Sequence, residues 1–238
     1  MIHSKWGLLG LCAVSLGAMA LSVGAAQAAF SWLVLNKTQT TATELKALVI
    51  GEKGTPILSL LTTLLGFSIE IACAGKFELI GLSLEKEGKL TEGAKAKLTG
   101  CYQQGAWGEK VVCEQHSSGQ SAATIVTNEL KSELVLHTLA GGETEVLVKI
   151  EPKAAGGTFT TTFTQEECLA FEGIPVKGTI YLKDGLGQAT THASKHFLEV
   201  APLTTLFVGS KTPANAEGGI WVKLGNPHAE LKWSAMDA

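Results

Sequence analysis

The fold class follows from one stretch, Phe67-Ser68-Ile69-Glu70-Ile71-Ala72-Cys73, in which large apolar side chains alternate with polar or small ones. A period of two is typical of a half-buried β-strand, because successive side chains point to opposite faces of a sheet. Similar segments follow along the chain: Glu133–Leu139, Thr144–Ile150, Thr158–Phe163, Val176–Leu182, Thr204–Val208, Ile220–Leu224 and Ala229–Trp233. Turn-forming pairs separate them: Gly141-Gly142, Gly156-Gly157, Asp184-Gly185, Gly218-Gly219 and Asn226-Pro227. The pattern predicts an all-β fold, a sandwich or partly open barrel of short antiparallel strands.

One segment departs from this pattern and predicts a short helix at about 55–65. Thr55 is a suitable N-cap, Pro56 suits the first helical position, and Gly66 can end the helix. The apolar residues between them recur at helical spacing: Ile57, Leu60, Leu61, Leu64 and Leu65. We therefore expect a single short helix in this region, packed against the sheet.

Composition argues against several classes of function. The 238-residue chain is 45% hydrophobic and 17% charged, with a formal net charge of −3, which is an ordinary globular composition. All 19 basic residues are lysines, and of the 22 acidic residues only Asp184 and Asp237 are aspartates. Without arginine or an excess of basic residues, no binding of nucleic acid is expected. With only two aspartates, the chain has almost no residues that could form an aspartate-rich calcium loop or act as a buried catalytic aspartate.

The start of the chain has the pattern of a secretory signal peptide, residues 1–28. Residues 6–26 carry no charge, and Ala26-Gln27-Ala28 supplies the small residues that signal peptidase requires. We predict cleavage after Ala28, a location in the cell envelope or outside the cell, and no membrane span after cleavage. The alternative is an uncleaved anchor, because the uncharged run is long enough to span a bilayer. The remaining residues, 29–238, are predicted to form a single β-rich domain with a soft boundary near 185–195.

Four cysteines follow the signal peptide, and an even number in an exported chain indicates two disulfides. The residues between Cys101 and Cys113 are rich in turn formers, so we expect these two cysteines to pair. That leaves Cys73 to pair with Cys168, because each follows an alternating strand. The rival pairing joins Cys73 to Cys101 and leaves Cys113 for Cys168.

The sequence contains no complete motif for a catalytic nucleophile, a phosphate-binding loop or a dinucleotide site. His192 and His196 have the spacing of two metal ligands on one helix face, but no third or fourth ligand is spaced for zinc. Glu166 and Glu167 are adjacent, so a strand would point them to opposite faces. We therefore predict no enzymatic activity, no catalytic residues, no metal site and no cofactor.

Trp32 and Trp107 are the candidates for contact with a ligand. Exposed aromatic side chains on a β-sheet can stack on sugar rings. The alternative for the tryptophans is packing in the core or at its rim, which strand-like alternation favours at Trp221 and Trp233.

Four short sequence motifs follow one another in the middle of the chain. They are Leu98-Thr99-Gly100-Cys101 followed by Cys113, Thr127–Leu134, Glu151-Pro152 with Gly157-Thr158-Phe159, and Cys168–Gly173 with Pro175-Val176-Lys177-Gly178. In this order they resemble a large group of exported, β-rich proteins of actinobacteria for which no activity is known. The resemblance covers residues 67–183, with a weaker similarity through Trp233. It implies an envelope or extracellular context in such a bacterium.

Three hypotheses about function follow from these observations. The first is an exported, non-enzymatic β-domain with a structural or interaction role, whose partner is an envelope component or glycan. The second is a carbohydrate- or ligand-binding module that uses exposed tryptophans. The third is a secreted hydrolase, which has only unplaced glutamates and histidines in its favour. An aromatic surface would favour the second hypothesis, and a cleft that gathers glutamate and histidine would favour the third.

Overall fold

The computed structural model describes residues 31–35, 37–38, 41–47, 56–64, 66–105, 113–164, 173–185, 193–209 and 211–236. Within these ranges the chain forms antiparallel strands and one 3-10 turn, Lys86–Gly88. The strands are β1 (Ser31–Val34), β2 (Lys37–Thr38), β3 (Thr43–Ala47), β4 (Leu58–Leu64), β5 (Phe67–Cys73), β6 (Phe77–Ile80), β7 (Ser83–Leu84), β8 (Lys89–Thr99), β9 (Cys101–Gly105), β10 (Cys113–Ser117), β11 (Thr124–Val126), β12 (Leu130–Thr138), β13 (Thr144–Pro152), β14 (Thr160–Thr164), β15 (Ile174–Asp184), β16 (Lys195–Val200), β17 (Thr205–Val208), β18 (Thr212–Leu224) and β19 (Trp233–Met236). The predicted all-β class is confirmed.

The strand pairings close into two rings that share two long strands, β15 and β18. The first ring runs in the order β3, β7, β8, β12, β13, β15, β16 and β18, and returns to β3. The second ring runs in the order β4, β5, β9, β10, β14, β15, β17 and β18, and returns to β4. A single residue pair, Leu84 with Leu90, joins β7 to β8. The arrangement is therefore the partly closed, barrel-like form of the fold.

Apolar side chains fill both rings. The core of the first ring includes Leu90, Val148 and Val222. The three-stranded sheet of β2, β1 and β19 covers this core and adds Trp32 and Trp233, whose ring centroids lie 5.8 Å apart. The second ring buries two smaller clusters, and the second half of β8, paired with β6 and β11, packs against one of them.

The two shared strands change partners at a glycine. In β15, Gly178 and Thr179 are the last residues paired with β17, and pairing with β13 begins at the next residue. In β18, Gly218 is the last residue paired with β4, and Gly219 pairs with β16. Gly178 and Gly218 have φ values of 122° and 126°, in the region that favours glycine. The expectation of a turn at Gly218-Gly219 is therefore wrong, because both glycines lie inside one continuous strand.

The short helix expected at about 55–65 is also wrong. Leu58–Leu64 forms strand β4, which hydrogen-bonds to β5 on one side and to β18 on the other. Leu58 and Leu60 pack into the second ring, whereas Leu61 is exposed. Backbone pairing on two sides outweighs the helical spacing of the leucines, and this pairing involves residues distant in the sequence.

Most of the expected strands are present, and the Phe67–Cys73 strand has the predicted bounds. The strand expected at Ala229–Trp233 is displaced, because residues 229–230 form a turn and β19 begins at Trp233. Strands β15 and β16, on either side of the expected soft boundary, pair with each other. No helix in the described ranges is long and apolar enough to cross a membrane. The predicted signal peptide lies outside those ranges.

The disulfide pairing that we favoured from the sequence is wrong. Cys73 is bonded to Cys101, and the two residues face each other across β5 and β9. The chain returns to Cys73 because β6 pairs with the end of β8, with Phe77 opposite Leu98. Cys113 is disulfide-bonded as well. The first half of the rival pairing is therefore confirmed, and Cys168 itself lies outside the described part of the chain.

Candidate functional site

The most distinctive surface is the outer face of the first ring across β3, β18, β16 and β15. Alternation along each strand sends one set of side chains into the core and the other outward. In β18, for example, Ile220 and Val222 are buried, whereas Trp221 and Lys223 point outward. The same alternation places five residues on the outside: Lys46, Lys195, Phe197, Trp221 and Lys223. We call this set the aromatic–lysine face.

Phe197 and Trp221 form its centre. They are directly opposite in the ladder between β16 and β18, and their ring centroids lie 5.3 Å apart with an angle of 50° between the planes. Both side chains are only partly buried. The ammonium group of Lys195 lies 5.2 Å from the centroid of the Trp221 ring, within the range of a cation–π contact. Neither aromatic residue belongs to the enclosed core of the first ring.

Two glycines, Gly185 and Gly219, lie against the Phe197 ring of this pair. Gly185 donates its N–H to the carbonyl oxygen of Phe197 over 2.8 Å, and Gly219 lies on the neighbouring strand β18. A Cβ at Gly219 would be 2.5 Å from Cζ of Phe197, and one at Gly185 would be 2.7 Å from Cδ1. The Phe197 ring therefore lies across both glycine backbones, and a side chain at either glycine would displace it.

A row of lysines crosses the same face. In the strand register, Lys195 of β16 lies opposite Lys223 of β18, and Lys223 lies opposite Lys46 of β3. Three lysine side chains are therefore neighbours across these strands. Lys46 has a weak contact with Glu44 at 3.7 Å. Among the side chains that the structure describes, no carboxylate pairs with Lys195 or Lys223. Like charges directly opposite on a sheet are destabilising, so this row opposes folding stability.

A buried polar pair lies beneath this face. His196 is 3% exposed, and its Nδ1 is 2.7 Å from Oδ2 of Asp184, whose residue is 8% exposed. The other ring nitrogen, Nε2, lies 2.8 Å from the carbonyl oxygen of Trp233. Because a carbonyl oxygen only accepts, Nε2 donates to it, and Nδ1 is hydrogen-bonded to the carboxylate. The pair thereby joins β15 and β16 to the covering strand β19.

A separate feature is a groove of about 500 Å³ on the first ring, which is lined by Glu85 and by residues of β8, β12 and β13. Its charged side chains form a network: Lys149 contacts Glu151 at 3.1 Å and Glu133 at 3.6 Å, and Lys131 contacts Glu151 at 3.5 Å. The hydroxyl of Thr179 donates to Glu151 over 3.1 Å. The lysine and glutamate charges of β12 and β13 therefore largely neutralise each other.

This network shifts two pKa values. Partial burial by itself would raise the pKa of Glu151, but hydrogen bonds from Lys149 and Thr179, with the charges of Lys149 and Lys131, lower it below its ordinary value. Partial burial would likewise lower the pKa of Lys149, but the hydrogen bond to Glu151 and the charges of Glu151 and Glu133 raise it. Glu151 is therefore held as a carboxylate and Lys149 as an ammonium. A glutamate that acts as a general acid needs a raised pKa, which is the opposite of the shift at Glu151.

The interior cavities lined by described residues include two, of about 90 Å³ and about 100 Å³, that are lined almost entirely by apolar side chains. A cavity of about 150 Å³ is what holds a molecule the size of benzene. Neither interior cavity therefore accommodates a sugar ring, and the candidate binding surfaces are on the outside.

The site residues expected from the sequence have different outcomes. Trp32 is 3% exposed, and its Nε1 donates to the carbonyl oxygen of Lys89 over 2.9 Å. Trp32 has no free face for a sugar, so this candidate is wrong, while Trp107 and His192 lie outside the described residues. His196 is a buried residue of strand β16 with Asp184 as its partner, so it does not lie on a helix face. Within the described ranges, no three metal-binding side chains lie close enough together to hold an ion.

Sequence reasoning missed Phe197 and treated Trp221 as a packing residue. Each lies two positions from a lysine in an alternating strand, as Lys195-His196-Phe197 and Trp221-Val222-Lys223. That alternation is a usable signal for a shared outer face. The register between β16 and β18 brings the two patterns side by side, and this register cannot be read from the sequence.

No protein-family model, curated protein or solved structure matches this chain. Functional inference therefore rests on the geometry of the chain's own side chains.

Proposed function

We propose that this protein is an exported, non-enzymatic β-domain that binds a glycan of the cell envelope on the outer face of its first ring. The observation that carries the proposal is the Phe197–Trp221 pair, two adjacent aromatic rings that remain partly accessible on a rigid sheet. Aromatic faces bind the apolar faces of sugar rings, while surrounding polar groups remain hydrated and bond to hydroxyls. A binding role uses such a surface without any catalytic group.

The surroundings of the pair support this role. The backbones of Gly185 and Gly219 lie beneath Phe197, so neither residue has a side chain that displaces the ring, and the Glu199 carboxylate lies close to Gly185. Strands hold both aromatic residues in register, which limits the entropy lost when a ligand binds.

The hydrolase hypothesis is less well supported. Glycoside hydrolysis needs two carboxyl groups, one of which is protonated and acts as a general acid. The groove does contain glutamates, but Glu151 and Glu133 are paired with lysines, and the lowered pKa of Glu151 disfavours a general acid.

Export remains part of the proposal and is supported by the disulfides. Cys73–Cys101 and the disulfide at Cys113 are typical of chains that fold in an oxidising compartment. If Ala26-Gln27-Ala28 directs cleavage, mass spectrometry of the protein secreted by an exporting bacterial host should find a chain that begins at Ala29. An intact Met1 on membrane-bound protein would contradict cleavage.

Binding can be tested by affinity electrophoresis of the full chain, expressed with its own leader in an exporting host, through gels that contain soluble polysaccharides. We expect retardation by at least one polysaccharide, with a loss of about tenfold in affinity for Trp221→Ala, since an aromatic contact contributes roughly 0.5–1.5 kcal/mol beyond the area that it buries. Trp221→Phe keeps a ring and should retain much of the binding. Phe207→Ala, an exposed aromatic of the second ring, is the matched control. Equal losses for Trp221→Ala and Phe207→Ala would contradict the proposed surface.

A further inference from the structure

We propose that the aromatic–lysine face is specific for anionic polysaccharides, whose sugars carry carboxylate or phosphate groups. This inference rests on the proposed glycan-binding function and adds the class of ligand. The specificity for anions is inferred from the lysine row, whereas glycan binding is inferred from the aromatic pair. The two proposals therefore depend on different side chains.

Within the described part of the chain, the lysine row makes a cation–π contact from Lys195 to Trp221 and a 3.7 Å contact from Lys46 to Glu44, and neither explains why three lysines lie side by side. Lys46, Lys223 and Lys195 are adjacent in register on three strands, an arrangement that lowers the stability of the sheet. Lys195 and Lys223 have no carboxylate partner among the described residues. A bound anion would offset this repulsion, because it lies between the positive charges.

The charge of this face is opposite to that of the whole molecule. The outward side chains of the neighbouring rows add Lys183, paired with Glu199 at 3.1 Å, and Glu44, which contacts Lys46 at 3.7 Å. Among the described outward side chains of these four strands, the lysines at 46, 183, 195 and 223 are accompanied by Glu44 and Glu199, which leaves an excess of two positive charges. The chain as a whole has a formal net charge of −3. Charge is therefore concentrated at the place where the aromatic pair lies.

The spacing between the row and the aromatic pair suits a substituted sugar. Lys223 is two residues from Trp221 along β18, and Lys195 is two residues from Phe197 along β16, about 6.6 Å in each case. A sugar ring stacked on Trp221 places an acidic substituent within reach of a flexible lysine side chain. The Lys195 ammonium, already 5.2 Å from the Trp221 centroid, is positioned for this contact.

Nucleic acid also combines anionic groups with stacking, but the observations favour a glycan. The chain contains no arginine, which is the residue best suited to bidentate phosphate contacts. The lysine row spans only three strands, whereas nucleic-acid binding sites generally extend along several phosphates.

The test compares four polymers in the same affinity measurement: a neutral glucan, a polyuronate, a polyol-phosphate polymer of the teichoic type and single-stranded DNA. The full chain should bind the polyuronate or the polyol phosphate at least tenfold more tightly than the glucan. Preference for one of these two identifies carboxylate or phosphate as the recognised group. Binding should weaken as salt is raised, because salt screens exposed charges.

Two variants separate the contributions. Lys195→Gln with Lys223→Gln should reduce binding of the acidic polymer about tenfold and leave binding of the neutral glucan within about twofold. Lys211→Gln, an exposed lysine outside this face, is the control and should change neither. Thermal unfolding of each variant checks that the fold is retained, and we expect the double variant to be at least as stable as the parent.

Each contrary result has a distinct meaning. If neutral and acidic polymers bind equally and the double variant has no effect, the anionic specificity is wrong while the proposed glycan-binding function stands. If no polysaccharide binds at all, both proposals fail. If single-stranded DNA binds as tightly as the acidic glycans and is equally sensitive to Trp221→Ala, the anionic-glycan assignment is overturned in favour of a nucleic-acid surface.

Discussion

At the residue scale, Asp184 and His196 show how much one buried contact can connect. Asp184 is the last residue of β15, His196 is the second residue of β16, and the histidine also reaches the backbone of Trp233 in the covering sheet. Aspartate is scarce in this chain, so a buried one stands out against the twenty glutamates. A short carboxylate at this position reaches the imidazole within the ring interior, where the pair is shielded from water.

Removal of one member of this pair should be more harmful than removal of both. We expect Asp184→Ala or His196→Ala to lower the free energy of unfolding by about 3–5 kcal/mol, because a buried polar partner is left unsatisfied. Asp184→Leu with His196→Leu should be less destabilising than either single change. Chemical denaturation measures all three variants. As a control, Glu44→Ala, in an exposed pair, should change stability by less than about 1 kcal/mol. A double variant less stable than both single variants would contradict this account.

The ion pairs of the groove predict a pH dependence. The lowered pKa of Glu151 means that its carboxylate is stabilised by folding, so its contribution is present above the ordinary value of 4.5 and is lost as the pH falls through the lower folded value. Glu151→Gln should therefore lower the free energy of unfolding by about 1 kcal/mol at pH 7. The difference from the parent should shrink as the pH falls below 4.5.

The matched control for this effect is Glu143→Gln, an exposed residue without an ion pair among the described side chains. Denaturation series between pH 7 and pH 3 should show little difference between Glu143→Gln and the parent. A difference for Glu151→Gln that stays constant over this range would show that the lysine contacts are not its cause.

At the element scale, β15 and β18 determine how the two rings are joined. Each strand belongs to one ring at its start and to the other at its end, so each must bend without losing its hydrogen bonds. Glycines at the change of partner permit a left-handed backbone angle and a close approach of the neighbouring strand. The neighbouring backbone atoms are carbonyl oxygens, at Thr205 for Gly178 and at Ile57 for Gly218.

A Cβ at either crossing should be poorly tolerated. We expect Gly178→Ala and Gly218→Ala each to lower the free energy of unfolding by about 3 kcal/mol or more, from backbone strain combined with a clash against a carbonyl oxygen. Gly142→Ala is the matched control, because Gly142 also has a positive φ of 85° but no heavy atom within 4 Å. It should lose only about 1–2 kcal/mol, the price of the left-handed backbone. Equal losses at the three positions, measured by thermal or chemical unfolding, would contradict the role of the crossing.

At the scale of the whole molecule, one disulfide joins two neighbouring strands of the second ring and encloses in its loop strands that cover the core of that ring. Cys73 ends β5, Cys101 begins β9, and both belong to a buried cluster that also includes Leu98 and Ile125. The chain between the two cysteines contains the whole of β6, β7 and β8, which pack on the first ring and on this cluster. The disulfide therefore closes a loop that contributes to both cores.

Loss of this disulfide should have a large effect on stability. Cys73→Ser with Cys101→Ser opens a loop with a sequence separation of 28, which corresponds to about 3.5 kcal/mol in the loop-entropy model. Because a domain is stable by only about 5–15 kcal/mol in total, we expect a clearly lower midpoint of unfolding. Non-reducing peptide mapping should find a fragment that links Cys73 to Cys101. A fragment that links Cys101 to Cys113 would contradict the structure.

The same peptide mapping tests the second disulfide of the rival pairing, Cys113 with Cys168. We expect Cys113 to be linked to Cys168, because Cys12 lies within the predicted signal peptide and would be removed from the exported chain. A thiol-alkylated Cys168 in protein purified from an exporting host would contradict this expectation.

Local patterns in the sequence determined the class of fold. Alternation through segments such as Phe67–Cys73 depends only on neighbouring residues, and a half-buried strand needs that alternation whatever its partner is. The inward direction of Val222 and the outward direction of Trp221 follow from the same period. The paired glycines at Gly141-Gly142 likewise mark a turn, because a turn needs only the residues that form it.

The tertiary structure decided everything that depends on which strands are neighbours. The leucines of Leu58–Leu64 are spaced for a helix but form β4, because β5 and β18 bond to its backbone. Cys73 meets Cys101 because β6 pairs with β8. Trp32 was drawn into the core, while Phe197 and Trp221 met only through the register of β16 with β18. Side-chain period defines two faces of a strand but carries no information about the partner or its register, since these are chosen by the packing of the whole chain.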